Sequence, residues 1–337
     1  MGYSNTDDSP VGYSNTDDSP VGNSNSDDSS VSTHDFAADR RNAQILVNVN
    51  GRMVPRDQAV VSVFDAGFLM GDGVWEGLRV SAGHPAFLDQ HLDRLWEGAA
   101  AIALDIGRSR QELTEEIYRT LAANEMHGDG VHVRLMVTRG PKSTPYQDPR
   151  VSDGPATLVI IAEHKEPLPA TLERGLSLFT VHVRRSRPDS LDPKLNAHSK
   201  LNDITACIQA YTAGADEALM LDPDGFVATC NSTNFFIVRG AEVWTSSGMY
   251  CLAGITRSNL LRVCERHGIP AQERSFTLTE VYSADEAFVT GTYAGVVPVH
   301  TVDGRRIGTG RRGPMVERLQ ALYGALVRED VDVRQAP

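Results

Sequence analysis

Apolar and polar residues alternate through ILVNVNGRMV (45–54) and break at Asn50-Gly51. That dipeptide accepts the positive φ of a tight turn, so two short antiparallel strands are predicted there. Leu78–Val80 and Pro85–Leu88 flank a second turn at Ala82-Gly83. Apolar positions then recur at helical spacing through Leu92–Leu104 and Gln111–Asn124, and strand-like runs return at 131–138 and 156–163. Together these predict a small α+β domain over residues 43–166. The pattern then changes. Short strands are predicted at 175–183, 217–222, 226–229, 234–238, 242–245 and 286–290, joined by turns such as Asp222-Pro-Asp-Gly225. Helical spacing is confined to 201–213, 255–267 and 314–327. Many short strands with few helices predict a barrel-like second domain over 174–330.

The first 40 residues obey neither period. Residues 2–11 (GYSNTDDSPV) repeat unchanged at 12–21 and decay at 22–31 (GNSNSDDSSV). A polar repeat of ten residues has nothing to bury, so 1–40 is expected to be a disordered acidic tail. Asp7, Asp8, Asp17, Asp18, Asp27 and Asp28 carry half of the net charge of −12. The remainder supplies no basic face for phosphate backbones, which argues against nucleic acid as a partner. The N-terminus lacks the basic and apolar segments of a secretory signal, and nothing approaches the ~18 uninterrupted apolar residues of a membrane span. Cys207, Cys230, Cys251 and Cys264 have no CxxC spacing. They suggest neither a metal site nor a disulfide scaffold, and a cytoplasmic location is expected.

Three segments can receive an anion. Gly254-Ile255-Thr256-Arg257 stands at the head of a predicted helix, where free N–H groups and a Thr hydroxyl converge. Thr is also an ordinary N-cap, so the segment alone says little. Gly291-Thr292 follows a predicted strand and adds a second hydroxyl. Arg94 lies among apolar neighbours in FLDQHLDRL (87–95) and needs an anionic partner, either a ligand or a structural carboxylate. Three such points suit one phosphate. Amines are scarce: Lys142, Lys165, Lys194 and Lys200 are the only lysines, against 28 arginines.

The segments FDAGFLMGDGVWEGLRV (64–80), FLDQHLDRL (87–95), GADEALMLDPDGFVATCNSTNFF (214–236), LAGITR (252–257) and GTYAGVVPV (291–299) resemble, in order, those of the class IV aminotransferases. These are the fold-type IV pyridoxal-phosphate enzymes, among them branched-chain and D-amino-acid aminotransferases and aminodeoxychorismate lyases. The resemblance implies a small α/β sandwich followed by a pseudo-barrel, pyridoxal 5'-phosphate as cofactor, and a homodimer. It implies that Arg94, Ile255, Thr256 and Thr292 hold the cofactor phosphate and that Thr229 and Asn234 join the cofactor site. The turn Thr292-Tyr293-Ala294 would receive the substrate carboxylate, and Phe68, Met70 and Trp75 would line the substrate pocket.

Two positions depart from the family pattern. Ungapped alignment through LDPKLNAHSKLNDITA (191–206) puts Asn196 where the Schiff-base lysine belongs, and Lys200 where an aromatic residue commonly contacts the phenolic oxygen. Lys200 is therefore expected to be a relocated anchor and general base, since a flexible side chain reaching the phenolic oxygen also reaches the neighbouring aldehyde carbon. Lys194, two residues before Asn196, is the competitor, and a chain without covalent anchor is the third reading. Lys142 and Lys165 are expected to be solvated. Thr229 stands where a Glu usually pairs with the pyridine nitrogen; a hydroxyl stabilises a carbanion less. The expected function is transamination between an amino acid or amine and a 2-oxo acid. A lyase or racemase-type reaction, or a non-catalytic binding protein on the same fold, are the alternatives. Arg134 and Arg139 are candidates to meet a second substrate carboxylate, although exposed Arg at strand ends is commonplace.

Overall fold

In the computed structural model, residues 36–335 are described and fall within one compact unit. The expected repeat tail lies outside them up to residue 35. Ordered structure begins inside the expected tail, where Phe36 bridges Pro167 and Asp39 caps a short 3-10 helix over Arg40–Ala43.

The first sheet has six antiparallel strands, in the order Arg52–Pro55, Leu46–Val49, Thr157–His164, Val131–Thr138, Gly73–Ser81 and His84–Pro85. The Asn50-Gly51 turn takes φ values of 52° and 83°, which closes the first hairpin in the register Val49↔Arg52. Helices Leu88–Ala101 and Arg110–Ala123 cover one face. The second starts on a capping box in which Ser109 and Glu112 satisfy each other's backbone. Between helices and sheet lies a core built on Leu78, Leu92, Leu95, Leu113, Ile117 and Leu135, all at most 2% exposed.

The second sheet runs Ala271–Glu273, Glu242–Thr245, Asn234–Arg239, Glu286–Gly291, Gly295–Val302, Leu176–Thr180, Glu217–Leu221 and Val227–Cys230, with Arg305–Arg306 attached to Gly295–Val302. Its last strand turns directly back toward Asn234–Arg239, with the Cys230 N–H donating to the Thr233 carbonyl, so the sheet curls on itself. Leu178, Leu219, Phe235, Ile237 and Val289 fill one face. Helices Ile255–Arg266 and Pro314–Gln335 cover another around Phe236 and Phe288, whose rings stack at 4.8 Å. Such a pair adds ~0.5–1.5 kcal/mol beyond its buried area.

Most elements fall where periodicity put them. Strand Gly295–Val302 was not expected, because Pro298 breaks the strand signal. The structure tolerates it where Leu176–Thr180 joins only from Val299 onward. The last helix continues to Gln335 rather than stopping near 327; Leu326 and Val331 are buried and carry it past the charged run.

Candidate active site

A cavity of about 470 Å³ opens between the two sheets. One wall is the extended segment Asn196–Ser199, stitched to strand Gly73–Ser81. Trp75 N–H donates to the Asn196 carbonyl at 3.1 Å and His198 N–H to the Gly73 carbonyl at 3.0 Å. The Trp75 indole donates to the Ala197 carbonyl at 3.1 Å, and the Asn196 side-chain amide donates to the Trp75 carbonyl at 2.6 Å.

This wall delivers Lys200 at the head of helix Leu201–Thr212. Its Nζ donates to Asn196 Oδ1 at 3.3 Å and lies 5.3 Å from the centre of the Trp75 ring. Burial pushes the amine down to about 8; Asp203 opposes this, while Arg185, Arg94 and Arg134 add to it. Lys194 is exposed, outside the cavity lining. The other two lysines correct the expectation of solvated loops. Lys142 is only 3% exposed, its Nζ donating to the Asp148 carbonyl at 3.1 Å. Lys165 lines the cavity, 4.9 Å from the Tyr293 ring and 4.5 Å from that of Phe36. Sequence reasoning missed both because the backbone around a Lys decides where a flexible stem goes.

Arg94, on helix Leu88–Ala101, finds a structural carboxylate. Its Nε and Nη2 form a fork on Glu76 at 2.8 and 2.6 Å, and Nη1 donates to the Ala253 carbonyl at 2.9 Å. Glu76 also meets His91 Nδ1 at 2.7 Å. Burial would raise the Glu76 pKa, but the Arg94 charge and the hydrogen bonds from Arg94 and His91 outweigh it and hold it below the usual range. His91 is pushed down by burial and stays neutral. Arg94 still faces the cavity with N–H groups to spare, because three of about five are spent. The sequence did carry a signal for Glu76: a lone carboxylate in the alternate positions Val74, Glu76, Leu78 and Val80 that face inward on the strand.

At the far end, helix Ile255–Arg266 starts on Gly254 without a side-chain cap, so its first-turn amides have no partner within the helix. Gly254 is required there, since a Cβ would come within 2.1 Å of Asn234 Oδ1. Thr256 is buried, its hydroxyl accepting from Tyr323 at 3.3 Å, and Thr292 lines the same end. Thr290, which sequence reasoning did not single out, is 1% exposed, and its hydroxyl has no partner among the described residues. Uncapped amides, two cavity-lining threonines and an unsatisfied buried hydroxyl form a donor set that fits a phosphate.

Thr229 lines the cavity, and its hydroxyl donates to the Thr233 carbonyl at 2.7 Å. The buried Glu217 carboxylate anchors the adjoining turn, accepting from Ser232 and Thr233 at 2.8 Å each. Asn234 donates to the Leu252 carbonyl at 3.2 Å, tying that turn to the helix start.

On the remaining side, Arg134 packs 3.9 Å from the centre of the Trp75 ring. Burial lowers its pKa, partly countered by the charge of Glu163, and among the described residues no carboxylate forms an ion pair with it. Arg139 is spent on Asp72 at 2.6 Å and on the carbonyls of Ile102 and Ala103. The Thr292-Tyr293-Ala294 turn lines the cavity and is pinned by Arg79, which donates to the Tyr293 carbonyl at 2.6 Å. Trp75 lines the cavity, but Phe68 and Met70 do not. The short helix Ala66–Met70 turns them outward, leaving Phe68 70% exposed.

A curled sheet, a second sheet stitched against it, and a cluster of backbone and hydroxyl donors in the same cavity as a half-buried amine make up the site. The chain belongs to the amino-transferase class IV family, whose model matches residues 73–302. It is 42% identical over 285 residues to branched-chain-amino-acid aminotransferase-like protein 2 of Arabidopsis thaliana, covering 85% of this chain and 51% of that protein. The chain thus spans about half the length of that relative. A putative branched-chain-amino-acid aminotransferase of Methanocaldococcus jannaschii is 38% identical, with 82% of this chain and 94% of the relative covered. The T.th. branched-chain amino acid aminotransferase, solved with pyridoxamine 5'-phosphate, superposes with a TM-score of 0.79 at 30% identity, covering 84% of this chain and 94% of its own.

Proposed function

We propose that this chain is a pyridoxal-phosphate-dependent aminotransferase that moves an amino group between an amino acid or amine and a 2-oxo acid, with Lys200 as the anchoring amine. The observation that carries the reading is the position of Lys200: a half-buried amine inside the cavity, held beside Asn196 and Trp75. Pyridoxal phosphate supplies, when bound, an aldehyde that accepts an amino group and a ring that draws electrons from the adjoining carbon. Arg94, the Ile255 and Thr256 amides, and Thr292 would hold its phosphate, and Thr229 and Asn234 would border its ring.

With a pKa of about 8, Lys200 is roughly a tenth free base at pH 7, against well under a hundredth for an ordinary lysine. Free base is the form that acts as nucleophile and accepts a proton from the substrate's α-carbon. Arg134 offers unspent N–H groups to a substrate carboxylate, and the Tyr293 turn offers its backbone.

One observation favours a second reaction class. The Thr229 hydroxyl proton is committed to the Thr233 carbonyl, so the oxygen presents only lone pairs to the cavity and carries no charge. A site without a carboxylate at this point supports a lyase or racemase-type step. A homodimer is supported by the apolar stripe Leu201, Ile204, Ile208 and Tyr211 along one exposed face of a helix, with Phe68 and Met70 also exposed. The four unpaired cysteines support the cytoplasm, and among the described residues no helix is long and apolar enough to cross a membrane.

Borohydride treatment with pyridoxal phosphate followed by peptide mapping tests the anchor; the expected tag is on Lys200, with an absorbance band near ~410–430 nm before reduction. A tag on Lys165 or Lys194, or none, overturns it. Amino donors paired with 2-oxo acids then test transfer, and cofactor binding without transfer to any acceptor selects the second class.

A further inference from the structure

Position 196 holds no amine, yet its side chain is not idle. Asn196 is 5% exposed, and both ends of its amide are engaged. Nδ2 donates to the Trp75 carbonyl at 2.6 Å, and Oδ1 accepts from Lys200 Nζ at 3.3 Å. Rotating the amide by half a turn would set oxygen against the Trp75 carbonyl and an N–H against the lysine amine. Both contacts would become repulsive, so the environment itself fixes which atom faces Lys200.

A lysine at a helix head has four flexible methylenes and would otherwise sample many rotamers. A rival acceptor is near. Asp203 lies one turn along the same helix and attracts the amine, although it is already paired with Arg185. Asn196 pulls the other way, into the cavity and over the indole. It does so with a neutral oxygen, which accepts a hydrogen bond without favouring the ammonium form as a carboxylate would.

We propose that Asn196 is a positioning residue for Lys200: clamped to the Trp75 carbonyl, it holds its own amide oxygen out as the acceptor that seats the lysine amine over the Trp75 ring. The inference rests on the reading of Lys200 as the anchor for its relevance to catalysis, but not for its test. What stands at the family's lysine position is, in this chain, a seat for a lysine placed four residues later, at the head of the next helix.

The charged and titratable groups facing Lys200 are Asp203 and Arg185 on the helix side, Arg94 and Arg134 across the cavity, and His198 on the same wall. None of them changes in the variants that follow. The measurement is competitive acetylation of the full chain with acetic anhydride, without added pyridoxal phosphate. Reactivity of Lys200 is mapped by peptide against pH, with the exposed Lys194 as internal reference. In the unchanged chain the Lys200 midpoint is expected near 8. Asn196→Asp, nearly isosteric, is expected to raise it by about one unit, a tenfold loss of free amine at fixed pH. Asn196→Ala is expected to raise it in the same direction as the amine turns to Asp203, and to slow borohydride-fixed tagging by pyridoxal phosphate about five- to tenfold at pH 7.

A purely structural Asn196 would lower thermal stability and leave the Lys200 midpoint where it was in Asn196→Ala; an unmoved midpoint in folded Asn196→Ala overturns the inference. If Asn196→Ala fails to fold, Asn196→Ser, which also withdraws the amide oxygen, decides in its place. Failure of the anchor reading looks different: the midpoint moves as expected while the borohydride tag lands elsewhere.

Discussion

Two clusters form around adjacent residues of one strand, Trp75 and Glu76, and treat their charged members in opposite ways. Around Glu76 the carboxylate is fully answered: it takes a guanidinium fork and an imidazole, and Arg94 also donates to the Ala253 carbonyl while keeping N–H groups that face the cavity. Around Trp75 the groups are left unanswered. Arg134 is exposed and has no ion pair among the described residues, and Lys200 has one neutral acceptor where an ammonium wants several. A closed network resists change and belongs to the architecture. An open one holds unspent interaction energy and belongs to the chemistry.

The sharpest way to break this contrast is Lys200→Met. Loss of the borohydride tag should be complete, while thermal stability holds or rises slightly, since a half-buried amine with one neutral acceptor has been replaced by an apolar chain of similar length. A large fall in melting temperature would put Lys200 on the architectural side. Glu76→Ala should do the reverse, costing about 3–5 kcal/mol in denaturant unfolding by stranding Arg94 and opening space in the core. Arg134→Leu is expected next in size. It should raise KM for a dicarboxylic 2-oxo acid by about ten- to a hundredfold with little change in folding, as removal of one charged hydrogen-bonding group from a substrate carboxylate implies.

The closed network also has a pH signature. His91 is neutral when folded, so the unfolded chain takes its proton first, and stability is lost as pH falls through about 6.5. The Glu76 pKa is depressed by folding, so its contribution is present above the ordinary carboxylate range and is lost as pH falls through the lower, folded value. Urea midpoints that do not decline between pH 7 and 5 would contradict the His91 assignment. Smallest of all, Lys194→Met should change stability by less than about 0.5 kcal/mol and leave the tag untouched.

Much of this was legible in the chain. Hairpin and helix positions followed from alternation, turn dipeptides and capping residues, because those signals are local. The segments Gly254-Ile255-Thr256 and Gly291-Thr292, which border one end of the cavity, were readable because they announce themselves by residue type. What was not legible depended on side-chain direction. Nothing in the sequence says that Lys142 folds inward onto the Asp148 carbonyl, that Phe68 turns outward, or that Arg139 is consumed by Asp72. Arg94 was open to either a ligand or a carboxylate, and only the strand opposite its helix revealed Glu76. Thr290 was passed over because its significance lies in lacking a partner among the described residues, which no sequence records.

The near-contact of Gly254 with Asn234 has a consequence for how this chain can vary. The space a methyl at 254 would need is occupied by the Asn234 amide oxygen, so neither residue is free to drift alone. In a random-substitution library, almost any replacement at 254 should be lost, and survivors should carry a second change at 234 to something shorter. The two positions would then be inherited as a pair, and a suppressor screen begun from Gly254→Ala should return to Asn234 before any other site.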